Sequence, residues 1–140
     1  MCLDLNSAND KRHTAEEDIV VYKFLRYYVD ETYEEYTTPY QNKPVEIGSE
    51  YTSDLSGFDD KIIFGLHSFA NLEDAISRAS VTCDLGIWVV CKCLIPKGSR
   101  YYKGTFKIYK PTQKNVESFA SNRLRYLEII NKNENLCVSD

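Results

Sequence analysis

The strongest constraint in this chain is the run Gly86–Ile95, Gly-Ile-Trp-Val-Val-Cys-Lys-Cys-Leu-Ile, in which Lys92 is the only charged residue. The run is too short to cross a membrane as a helix. It is rich in β-branched residues and stops at Pro96-Lys97-Gly98, so it reads as a strand ending in a turn. Alternation would send Ile87, Val89, Cys91, Cys93 and Ile95 to one face and Trp88, Val90, Lys92 and Leu94 to the other. Both sets are mostly apolar, so both faces are expected to be covered. Such a strand belongs in the middle of a sheet.

The flanking sequence supplies that sheet. Asp18–Tyr28 alternates as a second confident strand, and Tyr33–Tyr40 follows at hairpin distance, with Pro39 demoting its end to an edge. Ile62–Phe69 is a further apolar run, broken by Gly65 and His67. Ser99–Lys110 reads as a return strand after the Pro96-Lys97-Gly98 turn. Arg123–Ile130 reads as the final strand, with Leu124, Tyr126 and Ile130 on one face and Arg125, Leu127 and Ile129 on the other. Thr112–Asn122 is polar and reads as a loop or single helical turn. The one good helix signal lies at about residues 71–80. Asn71 can cap it, and Leu72, Ala75, Ile76 and Ala79 fall on one face. Strands, one helix, then strands predict an α+β domain, a mostly antiparallel twisted sheet with the helix packed on it.

At 140 residues the chain has the length of one domain with a real core. The expected division is a polar, flexible N-terminal arm over 1–17, a single domain over 18–130 and a polar tail over 131–140. The irregular stretch Gln41–Asp60, with Val45-Glu46-Ile47 as a short strand, is long enough for a lid or binding loop.

A net charge of −4 argues against a bulk nucleic-acid binder. The polar start lacks a secretory core, and no stretch has transmembrane length, so a cytoplasmic, reduced protein is expected. The five cysteines (Cys2, Cys83, Cys91, Cys93, Cys137) show no Cys-x-x-Cys spacing. With only His13 and His67 to add, they argue for buried thiols rather than a metal site. Walker, dinucleotide-glycine, His-Glu-x-x-His and Gly-x-Ser-x-Gly motifs are absent, and no cofactor is implied.

Three stretches carry groups suited to a ligand. In Gly65-Leu66-His67-Ser68-Phe69, His67 and Ser68 would stand where a strand meets a helix, and backbone amides there favour anions. The competing explanation is that Ser68 or Asn71 caps the helix while the backbone satisfies His67. In Ser118–Arg123, Ser121 and Asn122 offer donors and acceptors, while Arg123 and Arg125 offer guanidinium forks for an oxyanion. A polar turn followed by exposed strand arginines explains the same residues. On the first strand, Tyr22, Lys23 and Arg26 could work with Tyr40 or Tyr51 from the long connection to hold a ring. A plain sheet surface explains these as well. Eleven tyrosines fit partly wet pockets, although β-propensity also favours them. Glu128, beside arginines on the last strand, is a catalytic candidate if the protein is an enzyme and otherwise an ion-pair partner.

Val21-Tyr22-Lys23, Gly65-Leu66-His67-Ser68-Phe69, Val89–Gly98 and Ala120-Ser121-Asn122 together resemble a group of small bacterial and phage proteins. Those proteins carry a Tyr-Lys strand, a Gly-x-His-Ser/Cys segment before a helix, and a valine-rich strand leading to Pro-x-Gly. The resemblance spans about residues 18–130. It implies a phage or mobile-element origin and carries no activity with it.

The resulting expectation is a non-enzymatic module that binds or sequesters a small anionic, ring-containing ligand of the nucleotide or ADP-ribose class. Its expected ligand residues are Tyr22, Arg26, Tyr40, Tyr51, His67, Ser68, Asn122, Arg123 and Arg125. One alternative is an ADP-ribosyltransferase-like or other nucleotide-processing enzyme using Glu128. The other is a protein-interaction module, or homo-oligomer, using exposed aromatics such as Tyr101, Tyr102 and Tyr109.

Overall fold

The computed structural model describes residues 3–5, 11–39, 41–58, 61–82, 87–108 and 114–133. In chain order its elements are β1 (Leu3–Asp4), β2 (His13–Thr14), β3 (Ile19–Val29), β4 (Glu34–Thr37), β5 (Pro44–Val45), β6 (Glu50–Thr52), β7 (Ser56–Phe58) and β8 (Lys61–Phe64). They continue with β9 (Leu66–Phe69), α1 (Leu72–Thr82), β10 (Ile87–Ile95), β11 (Arg100–Ile108), β12 (Lys114–Ser121) and β13 (Arg123–Asn133). The pairings among the described strands are all antiparallel. The mostly antiparallel sheet is therefore present, with one helix among the described residues, a minor part of the α+β composition.

The main ladder runs β6-β13-β10-β3-β9-β12-β11-β1-β8-β7, with β2, β4 and β5 paired off its side. The run Ile87–Ile95 is indeed interior, hydrogen-bonded to β13 on one edge and β3 on the other. Laid flat, nine strand spacings would separate β6 from β7 by about 43 Å. Yet only Ser53, Asp54 and Leu55 join the two, a reach of at most about 14 Å from Thr52 to Ser56. The sheet must therefore roll back on itself. At Ser53 the β6–β13 ladder is extended by one bond, the Ser53 amide donating to the Asn122 carbonyl at 3.0 Å.

Two halves make up this roll. One is β6-β13-β10-β3 and the other is β9-β12-β11-β1-β8-β7. They pair across a single position, Tyr22 with Phe69. They are also continuous through Asn122, where β12 of one half passes into β13 of the other. The front face carries α1, which packs on β3, β9 and β10. There Phe24, Trp88, Val90, Phe69, Phe106, Val116 and Ala120 surround Ala75 and Ala79 of the helix. The back face gathers Val21, Leu25, Cys91, Cys93, Ile95, Phe119, Leu124 and Tyr126. Asn71 stands just before the helix; its carbonyl accepts from the Ala75 amide and its side-chain amide donates to Asp74.

Four expectations are corrected. The stretch Thr112–Asn122 holds β12, an interior strand, not a loop. Its serines are small enough to be buried, and their hydroxyls are satisfied by backbone: Ser118 donates to the Val116 carbonyl and Ser121 to the Arg123 carbonyl. Ser99–Lys110 does not return along β10; its strand, β11, pairs with β12, β1 and β2. Residues within 1–17 form the short strands β1 and β2, and Leu3 is fully buried in the front core. In β13, irregularities opposite Val90–Cys91 and Lys92–Cys93 rephase the strand. Ile129 thus joins the back core beside Leu124 and Tyr126, while Ile130 stays exposed.

The connection over 41–60 is not a free lid in its described part. The Gly48 amide donates to the Tyr126 carbonyl at 2.7 Å, and the Tyr126 amide donates to the Ser49 carbonyl at 3.0 Å. Residues 134–140, most of the expected tail, and Asp59-Asp60 lie outside the described residues.

Candidate functional site

Strand alternation distributes the candidate residues between two faces. Val20, Tyr22, Phe24 and Arg26 of β3 lie on the front, while Val21, Lys23, Leu25 and Tyr27 lie on the back. On β13, Leu124 and Tyr126 enter the back core, so Arg123 and Arg125 project from the front. The helix covers the front at Phe24, Trp88 and Val90. Beyond it two cross-strand rows run out to solvent. In the first, Lys92 is registered with Tyr22 on one side and exposed Glu128 on the other. In the second, Leu94 lies between exposed Val20 and Arg125, and Arg125 is registered with Glu50.

Glu50 holds both arginines. Arg123 donates from Nε and Nη2 to Glu50 Oε2 at 3.1 and 3.0 Å. Arg125 Nη2 stands 3.6 Å from Glu50 Oε1. Side-chain exposures of 37% and 52% for the two arginines make these surface pairs, worth about 0–1 kcal/mol each. One carboxylate thus orients two guanidinium groups without strongly consuming them. An incoming oxyanion could compete for them at small cost.

His67 and Ser68 do not reach these open rows. They lie inside β9, ahead of α1 rather than at its first turn. The His67 ring is buried, packs against Phe106 with ring centres 5.5 Å apart, and has Nε2 3.3 Å from the Ile62 carbonyl oxygen. Burial, then the nearby Lys23 ammonium, lowers its pKa to about 4. A neutral, enclosed imidazole is a poor partner for a soluble anion. Ser68 is fully buried on the opposite side of the strand, and its hydroxyl has no partner among the described residues.

Lys23 bridges the point where the two half-sheets separate. After Tyr22–Phe69, continued pairing would set Phe24 against His67. Instead Lys23 Nζ donates to the His67 carbonyl at 2.7 Å. The side chain thereby takes over an acceptor that the ladder abandons. Burial lowers the Lys23 pKa to about 8, opposed by the Cys93 sulfur. Cys93 itself is pushed far up by its hydrogen bond with Cys91 and by burial, while the same hydrogen bond lowers Cys91; both thiols are free and buried in the back core.

Tyr51 and Asn122 are engaged in contacts of their own. Tyr51 packs edge-on to Tyr126 at 5.5 Å, and its hydroxyl accepts from the Glu46 amide at 2.8 Å. Asn122 is the corner between β12 and β13. Its Oδ1 accepts from the Arg100 amide at 2.9 Å, and its own amide donates to the Arg100 carbonyl at 3.0 Å. Arg26 shares the front face but stands at the Trp88 row, away from Arg125. Tyr40 lies outside the described residues. Tyr101 and Tyr102 are half-buried, Tyr101 being stacked on His13, and Tyr109 lies outside the described residues. The large apolar or aromatic side chains that are exposed include Tyr28, Val29, Tyr33, Ile63 and Phe64.

Of the nine expected ligand residues, Tyr22, Arg123 and Arg125 therefore share one open region. Lys92 and Glu50 complete it. Lys92 was visible as the single charge in an apolar strand; Glu50 left no signal.

Compared with protein-family models, curated proteins and solved structures, the chain has no match. Among the described residues no three His, Cys, Asp or Glu side chains are grouped to hold a metal ion. Among them, too, no helix is long and apolar enough to cross a membrane.

Proposed function

We propose that this protein is a non-catalytic binding module for a small anionic, ring-containing ligand, of the nucleotide or ADP-ribose class, held on the front face beyond α1. The observation that carries this reading is the pair Arg123 and Arg125, drawn together by Glu50 and lying beside Leu94, Tyr22 and Lys92. In the bound state phosphate oxygens would take the guanidinium forks, and the base or ribose would lie over Leu94, Val20 and the Tyr22 ring. Lys92 would add a second cationic contact one row away. Nothing in this arrangement requires a reaction, and binding alone would sequester the ligand.

The test is a thermal-shift titration with ADP-ribose, ADP and ATP, followed by mass spectrometry of the recovered nucleotide. At a hundredfold excess over Kd, binding to the native state adds about 2.7 kcal/mol, a melting shift on the order of 5–10 °C. Arg125→Ala should remove most of that shift while leaving the unliganded melting temperature nearly unchanged, since its ion pair is exposed. An absent shift with all three nucleotides, or the same shift in Arg125→Ala, would refute the assignment. Nucleotide recovered cleaved, with cleavage lost in Glu128→Gln, would move the protein to the enzyme class, because Glu128 borders the same row.

A further inference from the structure

The β3–β4 hairpin carries a second surface, independent of the front-face site. Asp30, Glu31, Glu34 and Glu35 place four carboxylates within six residues of the turn. Among the described residues none of them forms an ion pair with a lysine or arginine. An open groove of about 360 Å³ lies here, lined by Tyr28, Val29, Asp30, Tyr33 and Glu35. Tyr28, Val29 and Tyr33 are 42%, 54% and 51% exposed, a high value for three neighbouring non-polar surfaces.

The groove is preformed by its own hydrogen bonds. The Asp30 amide donates to the Tyr33 carbonyl at 2.9 Å, and Asp30 Oδ1 accepts from the Thr32 amide at 2.9 Å. The Tyr33 hydroxyl donates to Glu35, which stands opposite Tyr28 in the ladder. Behind it, Tyr27 donates to Glu34 at 2.6 Å and stacks on Tyr36. The Tyr33 hydroxyl is thus tied to a carboxylate and its ring is held in place. Two ring faces flanked by unneutralised carboxylates form a surface that matches a cation on an aliphatic stem.

We propose that this hairpin groove docks a lysine- or arginine-bearing segment of a partner protein. The cationic head would meet Asp30 and Glu35, and the stem would lie on Tyr28, Val29 and Tyr33. Charge complementarity selects this occupant over an apolar peptide, which would leave the carboxylates desolvated and unpaired.

The experiment is fluorescence anisotropy of labelled hexa-arginine and hexa-lysine peptides titrated with the full chain at about 20 mM salt, with a Gly-Ser peptide as control. Saturable binding of the basic peptides is expected, weakening as salt rises. Tyr28→Ala and Tyr33→Ala should each weaken it by about three- to five-fold, and Asp30→Asn should weaken it while preserving the turn acceptor. Melting curves verify that each variant is folded. Glu73→Gln, an exposed acid on α1, should leave binding unchanged. Equal loss in Glu73→Gln and Asp30→Asn would mean general attraction to an acidic protein and overturn the site. So would full affinity in both tyrosine variants, equal binding of the Gly-Ser peptide, or no binding of either basic peptide.

Discussion

His67 shows how one side chain ties stability to pH. Its neutral ring is enclosed against Phe106 and the Ile62 carbonyl, and its pKa is lowered to about 4. In the unfolded chain an imidazole takes its proton near pH 6.5. Between those two values the unfolded state binds more protons than the native state, so stability rises with pH across that window and falls on acidification. The loss from pH 6.5 down to pH 4 should be on the order of 3 kcal/mol in the wild type. His67→Gln retains a donor for the Ile62 carbonyl and has nothing to titrate. Urea denaturation at a series of pH values should therefore show a flatter profile for His67→Gln over this window. Parallel profiles would mean that His67 protonates without unfolding. The sequence showed the histidine in an apolar run, but not that its strand would be enclosed on both faces.

Among the elements, β1 depends on a glycine one hundred residues away. A Cβ on Gly104 would lie 2.2 Å from the Asp4 carbonyl oxygen, closer than any real contact. Gly104 therefore lets β1 dock on β11 and brings Leu3 into the front core. Gly104→Ala should cost about 2–3 kcal/mol by expelling β1. The same substitution in a chain lacking residues 1–5 should cost far less, because the clashing carbonyl is gone. Chemical denaturation of the four species gives the coupling. Additive costs would show that the glycine serves β11 alone. Gly104 was legible as a bend within a strand pattern. Its true role, close approach of a distant backbone, depends on a pairing that no local pattern encodes.

At the scale of the whole molecule, the order of pairing departs from the order of the chain. The strands beside the interior run are distant from it in the chain: Lys92 is registered with Tyr22 of β3 on one side and with Glu128 of β13 on the other. Closure entropy for such contacts must be met before they stabilise anything. Refolding should accordingly occupy milliseconds to seconds, and fluorescence of Trp88, only 2% exposed, can follow it in a stopped-flow instrument. Microsecond refolding would show that one half-sheet forms from local contacts alone.

Local chemistry determined a good deal. Alternating apolar residues marked β3, β10 and β13, and the spacing of Leu72, Ala75, Ile76 and Ala79 after Asn71 marked α1, because period and capping are properties of neighbouring residues. The burial of both faces over Trp88–Cys91 followed from composition, whereas at Lys92 and Leu94 the front face runs out to solvent beyond the helix. Tertiary structure decided the rest. Only the strand order places Arg125 beside Glu50 and Leu94, and only the bulges in β13 decide that Ile129 rather than Ile130 is covered. Only the placement of β12 between β9 and β11 buries Ser118 and Ser121, on its two opposite faces. Those outcomes are energies of contact between residues far apart in the chain, and a sequence read locally records the partners without recording which of them meet.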